Sequence, residues 1–116
     1  MIEAAQGLDA LFAGKDVAVR AIYSRLLEVL HSFGPFREEP KKTSIHLVNT
    51  SGFAGIHPRR SFLYLNLRMD RPLESKRIAK SEQVSKNRYY NEIKIIAPDE
   101  VDDELIGWLK EAYRLA

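Results

Sequence analysis

A chain of 116 residues with 45% apolar and 29% charged side chains has the length of one domain, spanning 1–116. It also has enough apolar material to close a core, which excludes global disorder. There is no cysteine and the net charge is only +2, so disulfide frameworks, thiolate metal sites and thiol nucleophiles are excluded. A reducing, cytoplasmic setting is expected. Met1 to Ala5 has no basic stretch followed by an apolar block, so no secretion signal is read there. No apolar run approaches the ~20 residues that a membrane-spanning helix needs, and no membrane contact is expected.

Residues 1–15 read as a short helical lead-in around Leu8, Leu11 and Phe12, closed near Gly14. From Asp16 to Phe33, Ala18, Val19, Ile22, Leu26, Val29, Leu30 and Phe33 fall in one stripe of 3.6-residue period, which predicts an amphipathic helix. Asp16 is its expected cap, and Gly34-Pro35 its stop.

The middle predicts strands. Thr43 to Thr50 alternates around Ile45 and Leu47, and Phe53 to His57 follows a Ser51-Gly52 turn. Gly52 and Gly55 are expected as turn and bulge glycines. Ser61 to Met69 is the clearest strand, with Leu63, Leu65, Leu67 and Met69 on one side and Phe62, Tyr64, Asn66 and Arg68 on the other. Ile78 to Gln83 is a more polar strand. Tyr90 to Ala97 sets Asn91, Ile93 and Ile95 against Tyr90, Glu92, Lys94 and Ile96. Pro98-Asp99 opens a last helix capped by Asp99 or Asp102, with Val101, Leu105, Trp108, Leu109, Ala112 and Ala116 as its apolar stripe. Early acids and late cations on that helix complement its dipole.

Short links between consecutive strands favour an antiparallel meander. The expected fold is therefore two-layer α+β: an antiparallel sheet of about five strands, with an N-terminal and a C-terminal helix packed on one face.

Charge is distributed unevenly. Residues 1–40 carry four basic and six acidic side chains, residues 41–94 twelve and four, and residues 95–116 two and six. The middle segment, net +8, concentrates positive potential and suits an anionic partner. Equally, basic strands and acidic helices in one small domain attract each other.

With both helices on one side, the free side of the sheet carries Phe62, Tyr64, Arg68, Tyr90 and Lys94. Rings for stacking and cations for phosphates are what a single-stranded nucleic acid surface needs. The same residues also serve as cross-strand packing or as a homodimer contact. Three basic pairs, Lys41-Lys42, Arg59-Arg60 and Lys76-Arg77, stand near strand ends, where some converge on an anion or remain solvated loop cations.

Glu92-Ile93-Lys94, with Asp70 upstream, has the residue types of a Mg-dependent nuclease. Two carboxylates would hold the metal and the lysine would orient water. His31, His46 and His57 make no metal pattern, although His46 and His57 suit neighbouring positions across a hairpin. No serine–histidine–acid spacing, nucleophile elbow or glycine-rich phosphate loop is present. No catalytic, metal or cofactor residues are assigned.

Several strings also carry a family resemblance: Lys41-Lys42-Thr43-Ser44-Ile45, Phe53-Ala54-Gly55-Ile56-His57-Pro58-Arg59-Arg60, Leu63-Tyr64-Leu65-Asn66-Leu67, Asp102-Asp103-Glu104-Leu105, Trp108-Leu109 and Glu111-Ala112-Tyr113. Together they resemble a bacterial domain-of-unknown-function family often labelled "predicted transport protein", over roughly Phe12 to Ala116. The resemblance implies a small cytosolic accessory domain with no catalytic residues to carry over. It marks Lys42, Pro58, Arg59 and Arg60 as anion contacts, and Trp108 and Tyr113 as helix-packing residues. Transport itself has no support in the residues.

The expectation is thus a non-enzymatic module for an anionic ligand, nucleic acid or nucleotide. Lys42, Arg59, Arg60, Arg68 and Arg77 are its candidate anion contacts, and Phe62, Tyr64 and Tyr90 its candidate stacking residues. A homodimerisation or protein-interaction domain using the same face is the alternative; the Mg-dependent nuclease is the third reading.

Overall fold

In the computed structural model, which describes residues 2–116 and side chains from Gly7 onward, the N-terminal segment forms helix α1 (Ile2–Phe12). The chain turns at Gly14, whose φ of 74° is the left-handed conformation that glycine adopts without strain. Helix α2 (Val17–His31) follows. Its start is fixed by the Asp16 backbone N–H donating to the Arg60 carbonyl at 2.8 Å. The Asp16 side chain, expected as a cap, makes no capping bond.

Val19, Ile22, Leu26, Val29 and Leu30 are buried as the periodicity predicts, while Ala18 is exposed. Tyr23 joins the buried side because its hydroxyl reaches Glu38 at 2.6 Å and its ring packs on Phe12. Burial, then the hydrogen bond to Glu38, pushes the Tyr23 phenol far above its ordinary pKa.

Six antiparallel strands follow: β1 (Arg37–Pro40), β2 (Ile45–Val48), β3 (Gly52–Pro58), β4 (Leu63–Met69), β5 (Ile78–Ser85) and β6 (Arg88–Ile95), in the order β1-β2-β3-β4-β6-β5. The sheet has one strand more than expected. Arg37-Glu38-Glu39-Pro40 has no apolar alternation to announce a strand, and it exists through its ladder to β2, in which Glu38 stands opposite Leu47 and Pro40 opposite Ile45. The β4 alternation is realised: Leu63, Leu65, Leu67 and Met69 are buried, while Tyr64, Asn66 and Arg68 are half-exposed.

The bulge falls elsewhere than expected. Leu47 pairs with Ala54 and Val48 with Gly52, which leaves Phe53 as the extra residue. Gly55 lies in the regular ladder, opposite His46 and Asn66. The bulge turns Phe53 into the core, where it meets Phe36 and Tyr113 edge-on.

A short 3-10 turn (Pro98–Glu100) leads into α3 (Asp103–Leu115). Asp102 is the cap, accepting from the Leu105 N–H at 3.1 Å. Leu105, Leu109 and Ala112 of α3 share one core cluster with α2 and with the buried side of the sheet. A fully buried polar side chain, that of Asn91, lies in this layer. Asn91 accepts from the Leu73 N–H at 2.9 Å and from the Ser81 hydroxyl at 2.6 Å, and donates to the Arg71 carbonyl at 3.1 Å. These bonds pin the segment between β4 and β5 against the sheet. No described helix is long and apolar enough to cross a membrane.

Candidate functional site on the open sheet face

Period two gives the sheet its second side. Opposite the core, β2 contributes His46, β3 Gly55 and His57, β4 Tyr64, Asn66 and Arg68, and β6 Tyr90, Glu92 and Lys94. Two clusters arise on this side. At one end the Phe62 and Tyr64 rings meet edge-on, with centroids 5.3 Å apart. The Arg59 guanidinium lies over Tyr64 at 5.5 Å, and the Lys94 ammonium over Phe62 at 4.3 Å. Both are cation–ring pairs, which hold each charge in a defined place while leaving donors free. Arg59 is thereby carried from the β3–β4 turn onto the face.

Farther along lies a groove of about 430 Å³, lined by His46, Gly52, Gly55, His57, Asn66, Arg68 and Tyr90, among others. Arg68 and Tyr90 are direct cross-strand partners. The Arg68 guanidinium donates to the Gly52 carbonyl at 2.7 Å, which fixes it across the groove. Gly55 lines the groove without a side chain. A Cβ there would stand 3.6 Å from His57 Nε2 and 3.9 Å from the Asn66 Cβ, in the space between them. Burial, and then the nearby Arg59 charge, hold the His57 pKa below its ordinary 6.5. His57 is therefore neutral at pH 7. Among the described residues, Asn66 Oδ1 is the one buried side-chain polar atom without a hydrogen-bond partner.

The sequence-predicted contacts divide. Arg59, Phe62, Tyr64, Arg68 and Tyr90 share this face. Lys42 and Arg60 are exposed in the β1–β2 and β3–β4 turns, at the end of the sheet where Arg59 also stands. Arg77 is set apart. It bonds Asp102 at 2.7 Å, Glu104 at 3.2 Å and the Glu100 carbonyl at 2.6 Å, with its guanidinium 5.8 Å from the Trp108 ring. Arg71 likewise bonds Glu111 at 2.9 Å. Part of the positive middle segment is thus spent on the acidic C-terminal helix.

His46, His57 and Asn66 line the groove beyond the candidates named from sequence. The signal for the histidines was their hairpin spacing, and the signal for Asn66 was its place between Tyr64 and Arg68 on the polar side of the best strand. The carboxylate pair of a nuclease does not assemble. Asp70 lies four residues beyond Asn66, the cross-strand partner of Glu92, or about 13 Å along the strand. Among the described residues, no three His, Asp or Glu side chains gather where they can hold a metal.

No curated protein and no solved structure matches the chain. A family match extends over residues 8–116, nearly the whole chain, and carries no transport assignment. On that match the chain belongs to the family described as "Domain of unknown function (DUF5655)".

Proposed function

We propose that this domain is a non-enzymatic module that binds single-stranded nucleic acid on its open sheet face. The observation that carries the reading is the pairing of cations with rings on that face: Arg59 on Tyr64, Lys94 on Phe62, and Arg68 beside Tyr90. Tyr90 is 40% exposed and offers a free ring to a base. The Arg59 guanidinium and the Lys94 ammonium, with exposed Arg60 at the same end of the sheet, meet phosphates. Glu92 on the same strand keeps the face from being uniformly positive, so the cations act locally.

Fluorescence anisotropy with labelled RNA or DNA decamers tests this. With three phosphates contacted, raising salt from about 50 to 200 mM weakens binding to a single strand by about 20-fold. Arg59→Glu and Lys94→Glu each weaken it further and flatten the salt dependence. Absence of binding at the lower salt, or binding indifferent to salt, overturns the reading. A dimer in sedimentation that dissociates in Tyr64→Glu, with no affinity for any strand, assigns the face to self-association instead.

A further inference from the structure

We propose that the groove floored by Gly55 is a nucleobase slot, with Asn66 reading the edge of the base and Tyr90 and Arg68 forming one wall; this rests on the single-strand reading above. Three observations converge there. The first is that a glycine occupies a regular ladder position on the groove floor, where a strand otherwise favours a bulky side chain. No backbone conformation demands that glycine, since the positive-φ glycines are Gly14 and Gly34. Its Cβ would meet only ordinary contacts, so packing does not demand it either. What a side chain at position 55 would remove is the space between His57 and Asn66.

The second observation is the unpartnered Asn66 Oδ1. A buried amide oxygen left without a donor costs free energy, and such atoms are rarely left so in folded proteins. The oxygen is closed to solvent as the amide now lies, so a turn of the Asn66 side chain is what presents it to the groove, where the exocyclic amino or ring N–H of a base supplies the missing donor. The third is the rest of the lining. Arg68 spends one donor on Gly52 and keeps others for a base carbonyl or ring nitrogen. His57 is neutral, so it presents one donor and one acceptor rather than a second full charge. A site of these groups fits a planar, polar-edged ring better than a bare phosphate. The phosphates belong to Arg59 and Lys94 at the end of the same face.

The experiment compares decamers of A, C and U with an abasic strand of equal charge, for the intact chain and for Gly55→Val and Asn66→Leu. The intact chain binds at least one base-bearing strand about tenfold more tightly than the abasic one. Gly55→Val, a substitution that suits a strand, fills the slot and brings that ratio close to one with the salt dependence unchanged. Asn66→Leu changes which base is preferred, or removes the preference. Equal binding of base-bearing and abasic strands by the intact chain overturns the slot but leaves the phosphate-binding face standing. Discrimination that survives both substitutions likewise overturns it. Failure of the intact chain to bind any strand overturns both readings.

Discussion

His57 and Asn91 show how one side chain's surroundings decide its role. Both lie on strands and both are polar. Asn91 points into the core and has its hydrogen-bonding capacity met by Leu73, Ser81 and Arg71, so it is a structural pin. Leaving those partners unpaired inside the protein would cost more than the bonds themselves contribute. His57 points the other way, beside a cation, and its imidazole is kept neutral. Its titration, followed by NMR of the ring protons, is expected to have a midpoint below 6.5. Arg59→Gln raises that midpoint by removing the neighbouring charge, and burial keeps it from returning fully. Because the folded chain holds His57 less basic than the unfolded chain, the unfolded state binds the extra proton first. Stability therefore declines as pH falls through about 6.5, and this part of the decline is absent in His57→Gln.

At the scale of elements, the start of α3 is the most fully determined junction. Asp102 accepts from the Leu105 N–H and also holds Arg77, and these two contacts, in that order, keep its carboxyl below the usual range. Asp103 and Glu104 add negative charge to the first turn, where the helix dipole favours it. Asp102→Ala is expected to cost about 1 kcal/mol at pH 7 in urea denaturation, the ordinary worth of an N-cap. The carboxylate is half-exposed, so its ion pair with Arg77 adds little to that figure. Its depressed pKa gives stability that is present above the unfolded value near 3.8 and is lost as pH falls through the folded one. The gap between the native chain and Asp102→Ala accordingly narrows when the denaturation is repeated at about pH 3. Asp102→Asn keeps most of the cap without that acid dependence. Helix α2 has no such cap and starts instead from the backbone bond between Asp16 and Arg60. That places the Arg59-Arg60 turn where the sheet meets the helical layer.

At the scale of the whole molecule, the connection after α2 and the C-terminal helix lock at Gly34. This residue has φ of 146°, and a Cβ on it would stand 2.5 Å from the Tyr113 hydroxyl. That hydroxyl donates to the Pro35 carbonyl at 2.9 Å, joining residues 78 apart in sequence. The Tyr113 ring also packs on Phe33 and Phe53. Gly34→Ala is expected to destabilise the domain by about 1–3 kcal/mol through the strained backbone and the clash together. Adding Tyr113→Phe removes the clashing atom. The double variant should therefore be more stable than the sum of the two single losses predicts, as read from urea midpoints. The lock keeps the C-terminal helix on the core side, which leaves the face of His57, Asn66 and Arg68 uncovered.

The amino-acid order alone determined the two amphipathic helices, five strands of the middle and the inward side of β2, β4 and β6. These follow from short-range periodicity, and period two and period 3.6 are properties of the local backbone. Leu63, Leu65, Leu67, Ile93 and Ile95 are buried for this reason. The same order placed Tyr64, Arg68, Tyr90 and Lys94 on the opposite side. Strand β1 and the bulge at Phe53 were not legible, because a charged tetrapeptide becomes a strand only when a neighbour pairs with it, and an extra residue shows only against its partner's register. The fate of each cation was likewise settled in three dimensions. Arg59 and Arg77 are alike in sequence, each belonging to a basic pair at a strand end. One lies over Tyr64 on the open face and the other is neutralised by Asp102 and Glu104. Coulomb attraction acts over a few ångströms of space, and sequence separation says nothing about that distance until the chain has folded.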